Sequence, residues 1–199
     1  RKNYIDFTIA RNQFLRITED KRFYHETKSF DSLIYNVDSI NFLSYFSRLN
    51  FARQISNKLE IMSGLAFTND KAKGDRIINK ENGDSSIASF TEWALYAELR
   101  YKLLKNIQLM ASARGISHSV YDGKLTPAFQ MKYDVTKEWN IRASYSQGYR
   151  SPDLKELYIE FIDLNHFVLG SVNLRPETSI DKQLSVNFTK NGYNLNLGA

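Results

Sequence analysis

Alternation of apolar and polar residues with a period of two runs through most of the chain and constrains the fold more than any other feature. In the segment WALYAELRYKL, alternate positions hold Trp93, Leu95, Ala97, Leu99, Tyr101 and Leu103. The same alternation occurs in LEIMSGLAF, IQLMASARG, PAFQMKYDV and WNIRASYS. Successive side chains of a β-strand point to opposite faces, so the pattern predicts strands with one apolar and one polar face.

The predicted connections between these strands alternate between short and long. Short turns are predicted at four places: 56–58, 104–106, 136–138 and 190–192. Longer polar connections are predicted at 69–88, at 117–124 and after Gln147. A weaker strand pair before Ile40 is predicted to turn near 18–21. The sequence therefore predicts an antiparallel up-and-down meander of about ten strands, with short turns at one end and long loops at the other.

The composition excludes several kinds of site. The chain has no cysteine, which excludes a disulfide framework and a cysteine-based metal site. The net charge is +5, and the basic residues are scattered along the sequence, so no nucleic-acid partner is expected.

No stretch approaches the ~18 consecutive apolar residues of a transmembrane helix. The sequence begins at RKNYIDF and ends inside a predicted strand at YNLNLGA, so we expect a piece of a longer protein.

The alternation fits two kinds of sheet. In a soluble sandwich the apolar faces of two sheets meet, whereas in a membrane barrel the apolar face contacts lipid and the polar face lines the lumen. Predicted strands of about eleven residues, longer than those of most soluble sheets, favour the barrel. Tyr101, Tyr133 and Trp139 lie beside short turns, where interfacial aromatic residues are typical. The asymmetry between short turns and long loops also favours the barrel, and the sandwich stays open as the alternative.

The phase of the alternation predicts which side chains face lipid and which face the lumen. The predicted lipid-facing residues are Leu95, Leu99, Leu109, Phe129, Ile141 and Tyr145. The predicted lumen-facing residues are Glu98, Arg100, Arg114 and Arg142. Glu98 and Arg114 fall nearly opposite each other across the turn at 104–106, which predicts a charge pair in the lumen. A solvated face with incidental pairing is the alternative.

One segment, 144–177, interrupts the meander. It contains a first box, Gly148-Tyr149-Arg150-Ser151-Pro152, followed by Glu156-Leu157-Tyr158, and a second box, Ser171-Val172-Asn173-Leu174-Arg175-Pro176-Glu177. These boxes and the strands around them resemble the barrel of TonB-dependent outer-membrane receptors. In that family a Gly-Phe-Arg-Ala-Pro-like box and Glu-Leu-Tyr precede a loop that an Asn-Pro-Asn-Leu-Lys-Pro-Glu-like box closes. The resemblance covers roughly 57–199, and the chain departs from it at Ser151 and at Ser171-Val172.

The residues of the first box also predict a short helical turn over 151–158. Ser151 is a residue type that caps helices, and Pro152 is favoured at the first helical position. Asp153 would lie at the positive end of the helix dipole. The chain would thus leave the membrane, turn in this ordered segment, and re-enter after Pro176.

The resemblance implies a function and a location. Residues 1–199 would be a portion of the β-barrel domain of a larger receptor, with the plug domain absent from this sequence. The receptor would lie in the outer membrane of a Gram-negative bacterium, in contact with outer-membrane lipid. It would import a scarce nutrient such as a siderophore or other metal chelate, haem or cobalamin. Energy would come from the TonB complex through the missing N-terminal region, and neither a cofactor nor enzymatic activity is expected.

The resemblance also implies candidate ligand-binding residues in an extracellular loop: His166, Phe167, Tyr149 and Arg150. In haem receptors of this family, a histidine between the two boxes is a position for a haem ligand, and His166 lies there beside Phe167. A neutral imidazole nitrogen is a suitable axial ligand for haem iron, and an aromatic ring could stack on the porphyrin. The alternatives are a solvated loop histidine and boxes that only shape the loop.

Two functions of other classes stay open from the residues alone. A complete small outer-membrane barrel with enzyme activity would need a convergent set of catalytic groups. The three histidines, His25, His118 and His166, have no recognisable arrangement of this kind, although Ser119 and Asp122 follow His118 closely. A soluble all-β binding module is the third possibility.

Overall fold

The computed structural model describes residues 3–20, 23–30, 36–78, 87–162 and 167–199. Within these ranges the chain forms thirteen strands and one short helix, α1 (Leu154–Tyr158). The strands are β1 (Asn3–Asp20), β2 (Phe23–Tyr24), β3 (Ser29–Phe30), β4 (Asn36–Gln54), β5 (Leu59–Gly74), β6 (Ile87–Leu104), β7 (Ile107–His118), β8 (Lys124–Asp134), β9 (Trp139–Arg150), β10 (Glu160–Ile162), β11 (Phe167–Leu169), β12 (Glu177–Lys190) and β13 (Tyr193–Gly198).

Nine of these strands form one antiparallel sheet in the order β1-β4-β5-β6-β7-β8-β9-β12-β13. The strands β2 and β3 pair as a small hairpin in one long connection, and β10 and β11 pair as another. All four predicted short turns are confirmed, because β4–β5, β6–β7, β8–β9 and β12–β13 are joined at those places. The predicted antiparallel meander is therefore confirmed.

Two predicted connections are wrong in position. The strand β1 does not turn at 18–21 but continues to Asp20, and it pairs with β4 from Asn3 opposite Arg53 to Asp20 opposite Asn36. The strand β5 continues to Gly74, so the first part of the predicted connection at 69–88, residues 69–74, is strand. Both stretches are rich in polar residues, so their sequences resemble those of loops. Each stretch is the end of a long strand that extends beyond the apolar belt of the sheet.

The strand register brings the predicted lipid-facing residues to a common face, which we call the lipid face. One row of opposed residues runs from Leu99 through Ala111 and Phe129 to Tyr145. Leu95 is 67% and Phe129 is 55% exposed on this face. No second large sheet lies on this face among the described residues. The opposite face, with Glu98, Arg100, Arg114 and Arg142, is the lumen face.

The predicted ion pair between Glu98 and Arg114 is wrong. The register places Ser112 opposite Glu98 and Tyr96 opposite Arg114, two residues away from the expected pairing. Glu98 instead contacts Arg100 on its own strand, with 2.6 Å between Oε1 and Nε. Arg114 Nη2 lies 3.5 Å from Glu92 Oε1. An ion pair between two strands depends on their register. When the register shifts by two residues, every residue lies opposite a different partner.

The predicted helical turn exists, but it begins later than expected. Its N-cap is Asp153 rather than Ser151, and Pro152 lies before the helix rather than at its first position. Asp153 Oδ1 accepts hydrogen bonds from the N–H groups of Lys155 and Glu156, each at 2.8 Å. Glu156 Oε2 in turn accepts the Asp153 N–H at 2.8 Å. This reciprocal capping box satisfies more of the free N–H groups than Ser151 could satisfy alone. No helix in the described ranges is both long and apolar enough to cross a membrane.

Candidate functional site

Arg150 joins the two sequence boxes. Its Nη1 and Nη2 donate to the two carboxylate oxygens of Glu156, both at 2.9 Å. Its Nε and Nη2 also donate to Glu177, at 3.1 and 3.2 Å. A guanidinium group suits this geometry because its planar fork matches the two oxygens of a carboxylate. One side chain of the first box therefore holds both the start of α1 and the last residue of the second box.

The strand register places these groups together. Arg150 is the last residue of β9 and lies directly opposite Glu177, the first residue of β12. The intervening chain leaves the sheet and returns to it at this pair. Hydrogen bonds from Arg150 lower the pKa of Glu156, and the hydrogen bond from the Asp153 N–H lowers it further. The carboxylate form that Arg150 binds is therefore the stable form of Glu156 at neutral pH.

The helix α1 packs on the lumen face, at the end of the sheet where the long connections lie. Leu154, Leu157 and Tyr158 are 4%, 3% and 8% exposed. They form a buried apolar cluster with residues of β4, β5, β6 and the β5–β6 connection, namely Ile40, Ala72, Ile77, Ala88 and Phe90. Burial of such side chains contributes about 1.5–3 kcal/mol each for large apolar groups. The segment after the first box is thus folded inward over the lumen face.

Backbone pairing holds this inward segment on both of its sides. The Ile78 N–H donates to the Tyr158 carbonyl at 2.9 Å, and the Glu160 N–H donates to the Arg76 carbonyl at 2.8 Å. The Gly170 N–H donates to the Ile159 carbonyl at 2.6 Å. A Cβ atom on Gly170 would lie 2.7 Å from the backbone of Leu157, so the close approach requires glycine.

Cationic side chains lie on aromatic rings around α1. Lys155 Nζ is 5.2 Å from the ring centre of Phe14 and 4.8 Å from that of Phe42. The guanidinium groups of Arg16 and Arg76 lie 5.0 and 4.7 Å from the ring centre of Phe161. Cation–π contacts of this kind favour a positive charge beside an aromatic surface. The outer end of the lumen face therefore combines positive charge with aromatic rings.

A buried polar group that the sequence did not single out for ligand binding lies close to this segment. His118 is 8% exposed, and its ring contacts those of Phe90 and Tyr121 in tilted arrangements, with ring centres 4.6 and 5.1 Å apart. Its Nδ1 accepts the Val120 N–H at 3.1 Å, so the neutral imidazole carries its proton on Nε2. The alternation along β7 could have predicted that His118 lies on the lumen face. Glu92, directly opposite His118, lies on the same face.

Three buried polar atoms have no hydrogen-bond partner within the described part of the chain: Asp70 Oδ1, His118 Nε2 and Tyr149 Oη. The Tyr149 side chain packs against the small apolar cluster of Ala66, Ala94 and Ile116. These atoms offer hydrogen-bonding capacity on the lumen face. Ser119 and His118 are not hydrogen-bonded to each other: His118 Nδ1 accepts the Val120 N–H, His118 Nε2 has no partner among the described residues, and the Ser119 hydroxyl accepts the Thr91 N–H at 3.0 Å.

The candidate ligand-binding residues lie in three different settings. Tyr149 and Arg150 are adjacent at the end of β9, where Tyr149 is half-buried and Arg150 is bound by its two carboxylates. Phe167 begins β11 and is 74% exposed, opposite Ile162 of β10. His166 lies outside the described residues, and its role as a haem ligand stays a prediction. Across the described ranges, no group of three or more His, Cys, Asp or Glu side chains could hold a metal ion.

Comparisons with known proteins agree with this geometry. The family described as "TonB dependent receptor-like, beta-barrel" matches residues 3–199. An iron-regulated outer membrane virulence protein of Vibrio cholerae serotype O1 is 26% identical over 117 residues, which are 58% of this chain and 18% of that protein. The ferric enterobactin receptor of Pseudomonas aeruginosa is 21% identical over 119 residues, or 54% of this chain and 16% of that protein.

A structural comparison shows the same architecture. The siderophore receptor PirA from Acinetobacter baumannii superposes with a TM-score of 0.72 at 14% identity, over 98% of this chain and 31% of that one. The chain therefore spans under a fifth of the curated relatives and about a third of this structure. At this identity the likeness shows the fold, and it confirms the predicted barrel architecture.

Proposed function

Because the chain belongs to the TonB-dependent receptor family, within its β-barrel domain, we propose that it is part of a receptor that binds and imports a scarce nutrient, foremost a ferric siderophore. The chain lies in the outer membrane of a Gram-negative bacterium, as the family and its named outer-membrane relatives show. The names of an iron-regulated protein, a ferric enterobactin receptor and a siderophore receptor among the similar proteins support an iron-chelate cargo.

The observation that carries the proposal is the inward-folded segment held by Arg150. A receptor must present fixed contacts at the entrance to its lumen, and binding groups are most precise when they are held on ordered elements. Here two carboxylate pairs and a buried apolar cluster hold α1 over the lumen face. Arg150 acts in this proposal by positioning the segment, and Tyr149, Phe167 and His166 are the proposed ligand contacts.

The charge and aromatic character of this end suit an iron chelate that is anionic and contains aromatic groups. Lys155 and Arg16 carry positive charge onto aromatic rings around α1, whereas the charge of Arg76 is paired with Asp38. Positive charge attracts an anionic chelate, and aromatic side chains contribute large contact areas at little cost in conformational entropy. We further propose that residues 1–199 are a portion of the barrel domain. Import would use energy from a TonB-type complex, and the chain itself would catalyse no reaction.

Uptake of labelled iron tests the proposed function in cells that lack the receptor gene. The whole receptor, expressed from a plasmid, is expected to restore uptake from at least one ferric siderophore, while the same cells without it take up none. Haem and cobalamin, offered separately, test the other cargo classes. A purified receptor that binds neither ferric siderophores nor haem nor cobalamin would contradict the proposal.

Haem is the second candidate cargo, and it yields a prediction for His166. If His166 supplies an axial nitrogen to haem iron, His166→Ala in the whole receptor is expected to change the Soret band of bound haem and weaken its binding. The matched control is His25→Ala, another loop histidine, which lies between β2 and β3. An unchanged Soret band and affinity in His166→Ala would remove this residue from the proposed ligand set.

A further inference from the structure

The lipid face carries three basic side chains beyond the outer edge of its apolar belt: Arg11 of β1 and Lys71 and Lys73 of β5. We call them the basic rim patch. Arg11 lies opposite Tyr45 of β4, and Tyr45 lies opposite Asn69 of β5. Lys71 and Lys73 follow Asn69 at alternate positions of the same strand. The register thus brings the three cations to one region of one face.

Burial confirms the side of the sheet on which the patch lies. Ala72 is 0% exposed and Gly74 is buried, whereas Lys71 and Lys73 are exposed. Two residues before Arg11 on the same face, Ile9 is 71% exposed and belongs to the apolar belt. The long connections identify this end of the sheet as the extracellular one. The patch therefore faces away from the lumen, toward the outer leaflet.

An aromatic pair marks the edge of the apolar belt directly below the patch. The rings of Phe67 and Trp93 lie 4.5 Å apart, and both residues are on the lipid face. Aromatic rings of this kind are typical of the level where acyl chains meet headgroups. Beyond them the same face continues with Asn69, Lys71 and Lys73. The patch therefore lies at headgroup level and is continuous with the lipid-contacting surface.

The patch has no carboxylate partner within the described part of the chain. Among the described residues, Arg11 forms one side-chain hydrogen bond, in which it donates to Gln13 Oε1 at 2.8 Å. Lys71 and Lys73 form no ion pair with any described residue. The nearby carboxylate of Asp75 accepts hydrogen bonds from Ser39 instead. Three positive charges at headgroup level thus remain available to an anionic partner.

We propose that the basic rim patch binds the phosphorylated sugar headgroup of a glycolipid in the outer leaflet. Arginine and lysine form charge-assisted hydrogen bonds to phosphate, and basic residues at a membrane surface attract anionic headgroups. The acyl chains of such a lipid would lie along the adjoining apolar belt, on Phe7, Ile9 and Phe67. The patch faces away from the lumen, so this lipid site is separate from the proposed nutrient site.

The test compares two triple variants of the whole receptor. Arg11→Gln, Lys71→Gln and Lys73→Gln together remove the patch. Lys58→Gln, Lys105→Gln and Lys137→Gln remove the same net charge from the short turns at the opposite end of the sheet. Native mass spectrometry of the purified receptor in detergent, titrated with diphosphorylated lipid A, measures the affinity. Loss of the patch is expected to weaken binding about a hundredfold, and the control set is expected to leave it nearly unchanged.

Three results would overturn the proposal. The patch variant could bind diphosphorylated lipid A as tightly as the wild type, or the control set could lose as much affinity. Equal binding of dephosphorylated lipid A or phosphatidylglycerol by the wild type would show general lipid contact without recognition of the phosphorylated sugar. The difference between heated and unheated migration on gels verifies that each variant is folded. Nutrient uptake is measured separately, since loss of lipid binding does not depend on the identity of the cargo.

Discussion

Arg150→Gln is expected to loosen the start of α1 and the return of the chain at the second box, while the buried apolar cluster still holds the rest of the helix. The substitution removes the guanidinium group that binds Glu156 and Glu177 at once, and it leaves two carboxylates near each other without their shared cation. The loosened segment would then have to be ordered in part by the ligand itself. We expect the affinity of the whole receptor for its nutrient to fall on the order of tenfold, because this ordering opposes binding.

Hydrogen exchange over residues 151–176 measures this loosening directly, and ligand titration measures its consequence. Arg142→Gln on the same strand is the matched control, since Arg142 has no ion pair among the described residues. Arg150→Lys keeps the charge but loses the planar fork, so it should restore protection only in part. If Arg150→Gln exchanged as slowly as the wild type and bound its ligand as tightly, the positioning role of Arg150 would be wrong.

Leu99→Arg is expected to impair folding in bilayers far more than Arg100→Leu. Leu99 is 46% exposed on the lipid face, between Tyr101 and Trp93, which lie toward the two edges of the apolar belt. An arginine on the lipid face of a barrel costs about 2–4 kcal/mol at the bilayer midplane and less near the interfaces. Arg100 points to the lumen, where water is available and where it contacts Glu98.

Urea titration of the whole receptor in lipid vesicles, followed by gel migration without heating, gives the folded fraction of each variant. The two substitutions exchange the same pair of side-chain types at adjacent positions, so each serves as the control for the other. Ala97, two residues from Leu99 on the same face, provides a second site: Ala97→Arg should be at least as harmful. Equal folding of Leu99→Arg and Arg100→Leu would contradict the assignment of the faces.

The sequence predicted the strands, and which side chains lie on the lipid face and which on the lumen face, because both follow from local alternation. The predicted lipid-facing residues share one face, and all four short turns fall where polar residues interrupt the apolar pattern. The prediction failed at 18–21 and at the start of 69–88. There the strands continue beyond the membrane, so neither face needs to be apolar, and polar strand and polar loop have similar sequences.

Local sequence also determined that a short helix would follow the first box, but the position of the cap needed the structure. Ser151 and Asp153 are both capping residue types. The reciprocal hydrogen bonds with Glu156 decide for Asp153, because Glu156 then occupies the third helical position. The sequence motif therefore predicted the presence of the helix and not its first residue.

Alternation, turn residues and the two boxes are enough to predict the class of the fold: an antiparallel meander with one lipid face and one lumen face, and a long loop that the two boxes close. Three features could be seen only in the folded chain: Arg150 binds Glu156 and Glu177, Arg114 contacts Glu92 rather than Glu98, and His118 is buried. The physical reason is the range of the interactions. Alternation and turns depend on neighbouring residues, whereas ion pairs and burial depend on the register of strands and on a segment that folds back across the sheet.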